Sequence, residues 1–245
     1  MSAQRKPPAL LACGLLLAWL PWLPACASPS DAERQAQRAQ MVERQLSARG
    51  IDDARVLAAM GQVPRHRLVP AEVAGHAYAD RPLQIGHGQT ISQPYIVALM
   101  TQLARPQAGD RALEIGTGSG YQAAVLARLV EQVYSVEIVE PLARRAARDL
   151  AELGVDNVQV RAGDGYAGWP EHAPFDVILV TAAPEQVPAP LLQQLAPGGR
   201  MVVPVGPVHA VQQLRLIEKD ADGTLRTTEV APVRFVPFTR DPAAS

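Results

Sequence analysis

The sequence predicts an α/β protein: a doubly wound, mostly parallel sheet with a terminal antiparallel strand pair and an N-terminal helical extension. Three observations carry this reading. From residue 111 onward, short β-rich runs alternate with helical patterns, and such alternation builds a parallel sheet covered by helices on both faces. The first of these runs, Ala112-Leu113-Glu114-Ile115, passes straight into Gly116-Thr117-Gly118-Ser119-Gly120 and then into a helical pattern. Toward the end, two strand-like runs flank the turn Asp220-Ala221-Asp222-Gly223, as a hairpin requires.

The 245 residues are 48% hydrophobic and 19% charged, too apolar for a disordered chain. We divide them into a targeting segment at 1–27, a helical and loop region at 28–108, and a ligand-binding core at 109–245, with 28–245 forming one globular unit. A net charge of −1 leaves no basic excess to neutralise a phosphate backbone, so no nucleic-acid partner is expected. Both cysteines, Cys13 and Cys26, fall in the targeting segment, which leaves the rest without a thiolate metal site; no metal is expected.

At the front, Arg5 and Lys6 precede an apolar run over 10–20 that is broken by Pro21 and Pro24, the layout of a secretory signal. Its end reads two ways: Ala25-Cys26-Ala27 fits a small-x-small cleavage site, and Leu23-Pro24-Ala25-Cys26 resembles the box before a lipidated bacterial cysteine. The expectation is an exported, periplasmic protein, soluble or anchored through Cys26, with cytoplasmic retention as the alternative. The apolar run is short against the roughly 20 residues of a spanning helix. Cleavage after residue 27 leaves 218 residues with 21 basic and 24 acidic side chains.

Next come two helices over 31–59, broken at Gly50, with Met41, Val42, Leu46, Val56, Leu57 and Met60 at helical spacing. Residues 81–88 hold too many Gly and Pro for a regular element and are read as loop. A helix follows from Gln93-Pro94, with Ser92 as its cap and Pro94 in its first turn. Strands are then predicted at 112–115, 133–137, 158–161, 175–180 and 201–205, with helices at 122–129, 141–153 and 190–195 between them. The closing pair spans 211–218 and 226–238.

Glycines directly after a first strand let the backbone turn sharply and approach a ligand at the crevice outside the strand ends. A dinucleotide fingerprint would need its third glycine at position 121, which is Tyr121, and no Gly-Lys-Ser/Thr follows for a phosphate-binding loop. What remains is Glu114 followed by G-x-G-x-G, which suits a nucleoside without a pyrophosphate. Glu137 ends the second strand 21 positions after Gly116, where doubly wound folds place a carboxylate for ribose hydroxyls. Asp164, in Gly163-Asp164-Gly165, ends the third strand and could accept from an adenine amino group.

Glu114 to Tyr121, with Glu137 and Gly163-Asp164-Gly165, resembles the S-adenosylmethionine site of a class I, Rossmann-like methyltransferase. Further segments narrow the resemblance. Gly88-Gln89-Thr90-Ile91-Ser92-Gln93-Pro94, Pro174-Phe175-Asp176, Val180-Thr181-Ala182-Ala183, Pro197-Gly198-Gly199-Arg200 and Pro204-Val205-Gly206 are similar to those of the protein-L-isoaspartate O-methyltransferase family, over about residues 41–240. The departure is the export signal, since the family's familiar members are cytosolic.

The resemblance implies methyl transfer from S-adenosylmethionine to the α-carboxylate of an L-isoaspartyl residue in damaged proteins or peptides; separately, a monomer is expected. It implies Ser92 as the active-site serine that hydrogen-bonds that carboxylate, Gln93 and its neighbours beside the cofactor, and Thr239 near it. Cofactor contacts are expected from Gln93, Glu114, Gly116, Thr117, Gly118, Ser119, Gly120, Glu137, Asp164, Gly165 and Thr239. Substrate contacts are expected from Thr90, Ile91, Ser92, Thr181, Ala182 and Ala183. His66 and His87 lack partners at metal-ligand spacing and are read as loop packing, and Arg144, Arg145 and Arg148 as a solvated helix face. Two rivals stand beside this reading: another carboxyl or small-molecule methyltransferase on the same cofactor, and a non-catalytic exported binding protein.

Overall fold

The computed structural model describes residues 1–4, 29–208 and 210–240. The targeting segment expected at 1–27 lies almost wholly outside the described residues. Helix α1 (Asp31–Met41) starts from a capping box, in which Ser30 and Glu33 satisfy each other's backbone N–H groups. It runs on through a wider turn and ends at Gly50 in the left-handed conformation, φ +90°. Helix α2 (Ala54–Gln62) is capped by Asp53, whose carboxylate accepts from the Arg55 and Val56 N–H groups.

The stretch 81–88 is not simply loop. Strands β1 (Leu83–Gly86) and β2 (Gln89–Ile91) form a small antiparallel hairpin, Leu83 opposite Ile91. Its turn places His87 at φ +53° between two glycines, a conformation that the sequence signals only through those glycines. Helix α3 (Pro94–Ala104) follows with Pro94 in its first turn, but its N-cap is Gln93, not Ser92, and no side chain caps it. The Ser92 hydroxyl is therefore released from the structural role that the sequence suggested.

The remaining elements are β3 (Arg111–Ile115), α4 (Tyr121–Leu126), β4 (Gln132–Glu137), α5 (Glu140–Glu152), β5 (Val158–Ala162), β6 (Phe175–Val180), α6 (Ala189–Gln194), β7 (Leu195–Val205), β8 (Gln212–Lys219) and β9 (Leu225–Val233). Seven strands make one sheet in the order β5-β4-β3-β6-β7-β8-β9. The first five run parallel; β7 to β9 pair antiparallel. The chain order reverses between β3 and β6, and a doubly wound sheet opens its ligand crevice at such a switch point.

Burial explains the pattern of the strands. Every residue of β3 beyond Arg111 is buried, as expected where helices cover both faces. On one face, Met41, Met60, Val97 and Leu126 from the N-terminal helices and α4 join Ala112, Val133 and Val177 of the sheet in a single cluster. The other face packs Leu113, Val136, Phe175, Ile178 and Val203 with Trp169 and Leu191. The last predicted strand is shorter than expected. Strand β9 stops at Val233, and residues 234–239 leave the sheet to cross its strand-end edge, where Pro237 bridges to Ala183.

Candidate active site at the strand ends

Three strand ends build a cleft of about 740 Å³ of open volume, mouth included, within the usual range for small-molecule sites. The turn after β3 is tied to both neighbours: Gly116 N–H donates to Val136 O at 2.8 Å, and Thr181 N–H to Ile115 O at 2.9 Å. The Thr181 hydroxyl completes the tie by donating to Gly116 O at 2.6 Å. Gly116 sits at φ +97°, and a Cβ there would lie 2.5 Å from that hydroxyl oxygen, so both conformation and space demand glycine. At Gly165 the reason is space alone, because a Cβ would come within 2.4 Å of Ile115.

Two carboxyl groups face this cleft with different partners. Glu137, 5% exposed, accepts from Gly118 N–H at 2.7 Å and from Val139 N–H at 2.9 Å, so it fastens the glycine turn to the end of β4. Glu114 is fully buried, and burial pushes its pKa up to about 8; the Ser135 hydroxyl bond opposes the shift and the nearby Glu137 charge adds to it. Thr117 and Ser135 hydroxyls lie 2.6 Å apart, and Ser135 donates in turn to Glu114 Oε2. Oε1 of Glu114 has no partner at hydrogen-bonding geometry. A buried, half-satisfied carboxyl held neutral in a cleft fits a ligand that brings a positive charge. A tethered acid beside glycine N–H groups fits sugar hydroxyls. The donor set therefore suits an adenosyl sulfonium amino acid, with Glu137 at its ribose and Glu114 at its charged end.

A second cavity, about 990 Å³ with its mouth, adjoins the first. The two share Thr90, Ser92, Thr181 and Val236 as walls. Beyond that partition the second cavity is lined by Pro82, Gln93, Ile96, Val211 and residues 232–235. Among the described residues, no Lys, Arg or His lines the first cavity.

Residues 36–243 match the family model described as protein-L-isoaspartate(D-aspartate) O-methyltransferase (PCMT). The chain belongs to this family. It is 63% identical over 187 residues to protein-L-isoaspartate O-methyltransferase 2 of Polaromonas sp. (strain JS666 / ATCC BAA-500), covering 76% of this chain and 89% of the relative. It is 61% identical over 208 residues to the enzyme of that family from Opitutus terrae, covering 85% and 89%. Among solved structures, one described as a beta-aspartate methyltransferase (PCMT) from Plasmodium falciparum, in complex with S-adenosyl-L-homocysteine, superposes with a TM-score of 0.73 at 27% identity, over 83% of this chain and 99% of that one.

In this family member the first cavity gathers Thr90, Ile91 and Ser92 from the hairpin side, and Glu114, Gly116, Thr117, Gly118, Ser119, Glu137, Gly165, Thr181, Ala182 and Thr239 from the sheet side. Four expected residues lie elsewhere. Gly120 faces α5, where a Cβ would meet Leu150 at 3.3 Å and Ala146 at 3.5 Å. Gln93 faces the second cavity and donates to Asp80 at 2.8 Å. Asp164 lies outside the lining of both cavities. Its Oδ1 caps the short turn after it by accepting from Tyr166 N–H at 2.8 Å, and its Oδ2 meets Arg240 Nε at 3.3 Å. Ala183 lends its backbone to residues 236–238, donating to Val236 O at 2.8 Å and accepting from Phe238 N–H at 3.0 Å.

Sequence reasoning missed Gln122, buried in the cleft floor with its Nε2 donating to Thr101 at 2.9 Å and its Oε1 unpartnered. It also missed Val236, Pro237 and Phe238 as walls, having placed them in a strand. Neither His66, bonded through Nδ1 to the Tyr78 hydroxyl at 2.7 Å, nor His87 lines either cavity. On α5, Arg144 and Arg148 are exposed, while Arg145 is half-buried.

Proposed function

We propose that this protein transfers the methyl group of S-adenosylmethionine to the α-carboxylate of L-isoaspartyl residues in damaged proteins or peptides, so that the ester can collapse to a succinimide and reopen partly as normal aspartate. The observation that carries this is the shared partition: one cavity built for an adenosyl cation meets a second, groove-like cavity across Ser92 and Thr181. The bound cofactor supplies a methyl group activated by its sulfonium.

The acceptor makes modest demands on the protein, because a carboxylate with an ordinary pKa near 4 is already ionised at pH 7 and needs no strong base. Positioning and exclusion of water dominate, the regime in which orientation contributes most to rate. Attack on a sulfonium cancels charge, so a cation beside the reacting carboxylate would stabilise the ground state more than the transition state. The first cavity supplies neutral donors instead. Ser92, free of any capping bond, offers its hydroxyl at the partition, and Thr181 is locked by its own bonds to Ile115 and Gly116. Glu137 holds the glycine turn and receives ribose, and Glu114 meets the cofactor's positive end.

The test is methylation of an isoaspartyl peptide against its aspartyl twin with labelled S-adenosylmethionine. A base-labile ester on the isoaspartyl form alone supports the proposal. Equal labelling of both points to a general carboxyl methyltransferase, and no cofactor binding points to a non-catalytic protein.

The same reading includes export. Arg5, Lys6 and the apolar run over 10–20 support removal of residues 1–27 and a periplasmic product, with Cys26 as the alternative lipid anchor. Mass spectrometry of the mature N-terminus decides: Ser28 marks a soluble product, lipidated Cys26 an anchored one, and an intact Arg5 overturns export. The protein is expected to act as a monomer, which sedimentation of the purified chain checks.

A further inference from the structure

Among the described residues, Arg234 is the one charged side chain that lines the second cavity, together with Pro82, Ile96, Val211 and Phe235, and no acid is in that lining. Arg234 is exposed. The other cations of the neighbouring strands are engaged: Arg215 pairs with Glu229 at 3.2 Å, Arg226 with Asp220 at 2.8 Å, and Lys219 donates to Leu195 O at 2.8 Å. Arg234 has no hydrogen bond or ion pair among the described residues. The backbone that carries it is nonetheless fixed. Val233 pairs with Gln212 at the end of β9, and Phe235 N–H donates to Oε1 of the buried Gln212 at 3.0 Å. One residue further on, Val236 O accepts from Ala183.

A guanidinium left unpaired costs nothing while water covers it, but a peptide that fills the groove removes that water. The peptide must then bring an acceptor or leave the charge unsatisfied, and a like charge there is repelled. Resting on the isoaspartyl reading above, the geometry points to Arg234 as a specificity-determining residue. It selects isoaspartyl peptides that carry an acidic side chain within a few positions of the damaged residue and disfavours lysine there. The placement also separates the two electrostatic requirements of the protein. The cation stands in the peptide groove and not in the cleft where the carboxylate reacts, so it attracts substrate without holding back transfer.

The experiment uses the purified full chain and isoaspartyl peptides that differ only in one flanking residue, Glu, Gln or Lys, placed before or after the isoaspartate. The readout is the ratio of kcat/KM for the Glu and Lys peptides. At low salt the ratio is expected to be about tenfold, expressed in KM, and to shrink toward unity in about 0.5 M salt. Arg234→Gln is expected to bring the ratio near one, and Arg234→Glu to invert it. Because each ratio is internal to one protein, a general loss of activity in a variant does not move it. Equal kcat/KM for all three peptides with wild type, or a ratio unchanged in Arg234→Glu, overturns the inference and leaves the isoaspartyl reading intact. No methylation of any of the three overturns both.

Discussion

The two cavities are neighbours made in opposite ways. The cofactor cleft is centred on strand ends adjacent in the sheet, whose backbones are cross-tied within about 3 Å, as in the Gly116, Thr181 and Glu137 bonds, and it buries Glu114, Thr117, Ser119, Gln122 and Glu137. The second cavity, proposed above for the peptide, is assembled from pieces far apart in sequence, a hairpin edge, the first turn of α3 and the ribbon after β9, and its charged side chain is exposed. The difference teaches that rigidity and selectivity are divided here. A cleft with buried, over-determined polar groups tolerates little change, whereas a groove walled by apolar side chains can accept many protein surfaces.

The strongest way to break this contrast is Gly116→Ala. Both the positive φ and the contact with the Thr181 hydroxyl penalise the new methyl group, and the displaced Thr181 loses two hydrogen bonds. Calorimetric affinity for S-adenosylmethionine is expected to fall by about 100-fold or more, and a change within threefold refutes the cradle. At the partition, Ser92→Ala is expected to lower kcat by about 10²-fold, the scale for one lost donor. Cofactor affinity should stay within twofold of wild type; an equal loss in both would place Ser92 in the cleft alone.

Glu114 sharpens the comparison through pH. Its folded pKa is raised to about 8, so the free protein holds it neutral at pH 7, while a bound cation favours the ionised form. Cofactor binding is therefore expected to release a proton and, below pH 8, to tighten by up to about tenfold for each unit that pH rises. Titration calorimetry in buffers of different ionisation enthalpy reads the proton directly, and Glu114→Gln should abolish both effects. For the cofactor-free protein the sign is opposite. The unfolded chain ionises Glu114 near 4.5, so the stability associated with the neutral group is full below that and is lost as pH rises through about 8. The smallest expected effect is at Arg240→Ala, which removes the Asp164 ion pair and the guanidinium 3.7 Å above the Tyr166 ring. Stopped-flow release of S-adenosylhomocysteine should speed up by about threefold, in line with the small energy of an exposed pair.

What the sequence made legible follows the same division. Strands β3, β4 and β6 could be read because strands buried on both faces are runs of apolar, often β-branched residues, and because the Gly116 to Gly120 turn has few other uses. Glu114 and Glu137 stand out by their place at strand ends, but the burial of one and the backbone bonds of the other are contacts that no spacing reveals. The hairpin Leu83–Gly86 and Gln89–Ile91 was hidden by the Gly and Pro density that makes its turn. Asp164 is expected at the ligand from its place at a strand end, but its partner Arg240, 76 residues away, leaves no signal in the spacing. Arg234 looked like one more residue of a strand, and only the exit of the ribbon toward Ala183 sets it in a groove.

That ribbon has a wider consequence. Val236 borders both chambers, and the stretch around it is held by the parallel bridge at Ala183 and Pro237 and by the Phe235 N–H bond to Gln212, with Arg240 clasped to Asp164 at its far end. A band that walls two chambers makes their occupancies thermodynamically inseparable: whatever stillness the nucleoside imposes on it is stillness the damaged peptide no longer has to impose, and the favour is returned in equal measure.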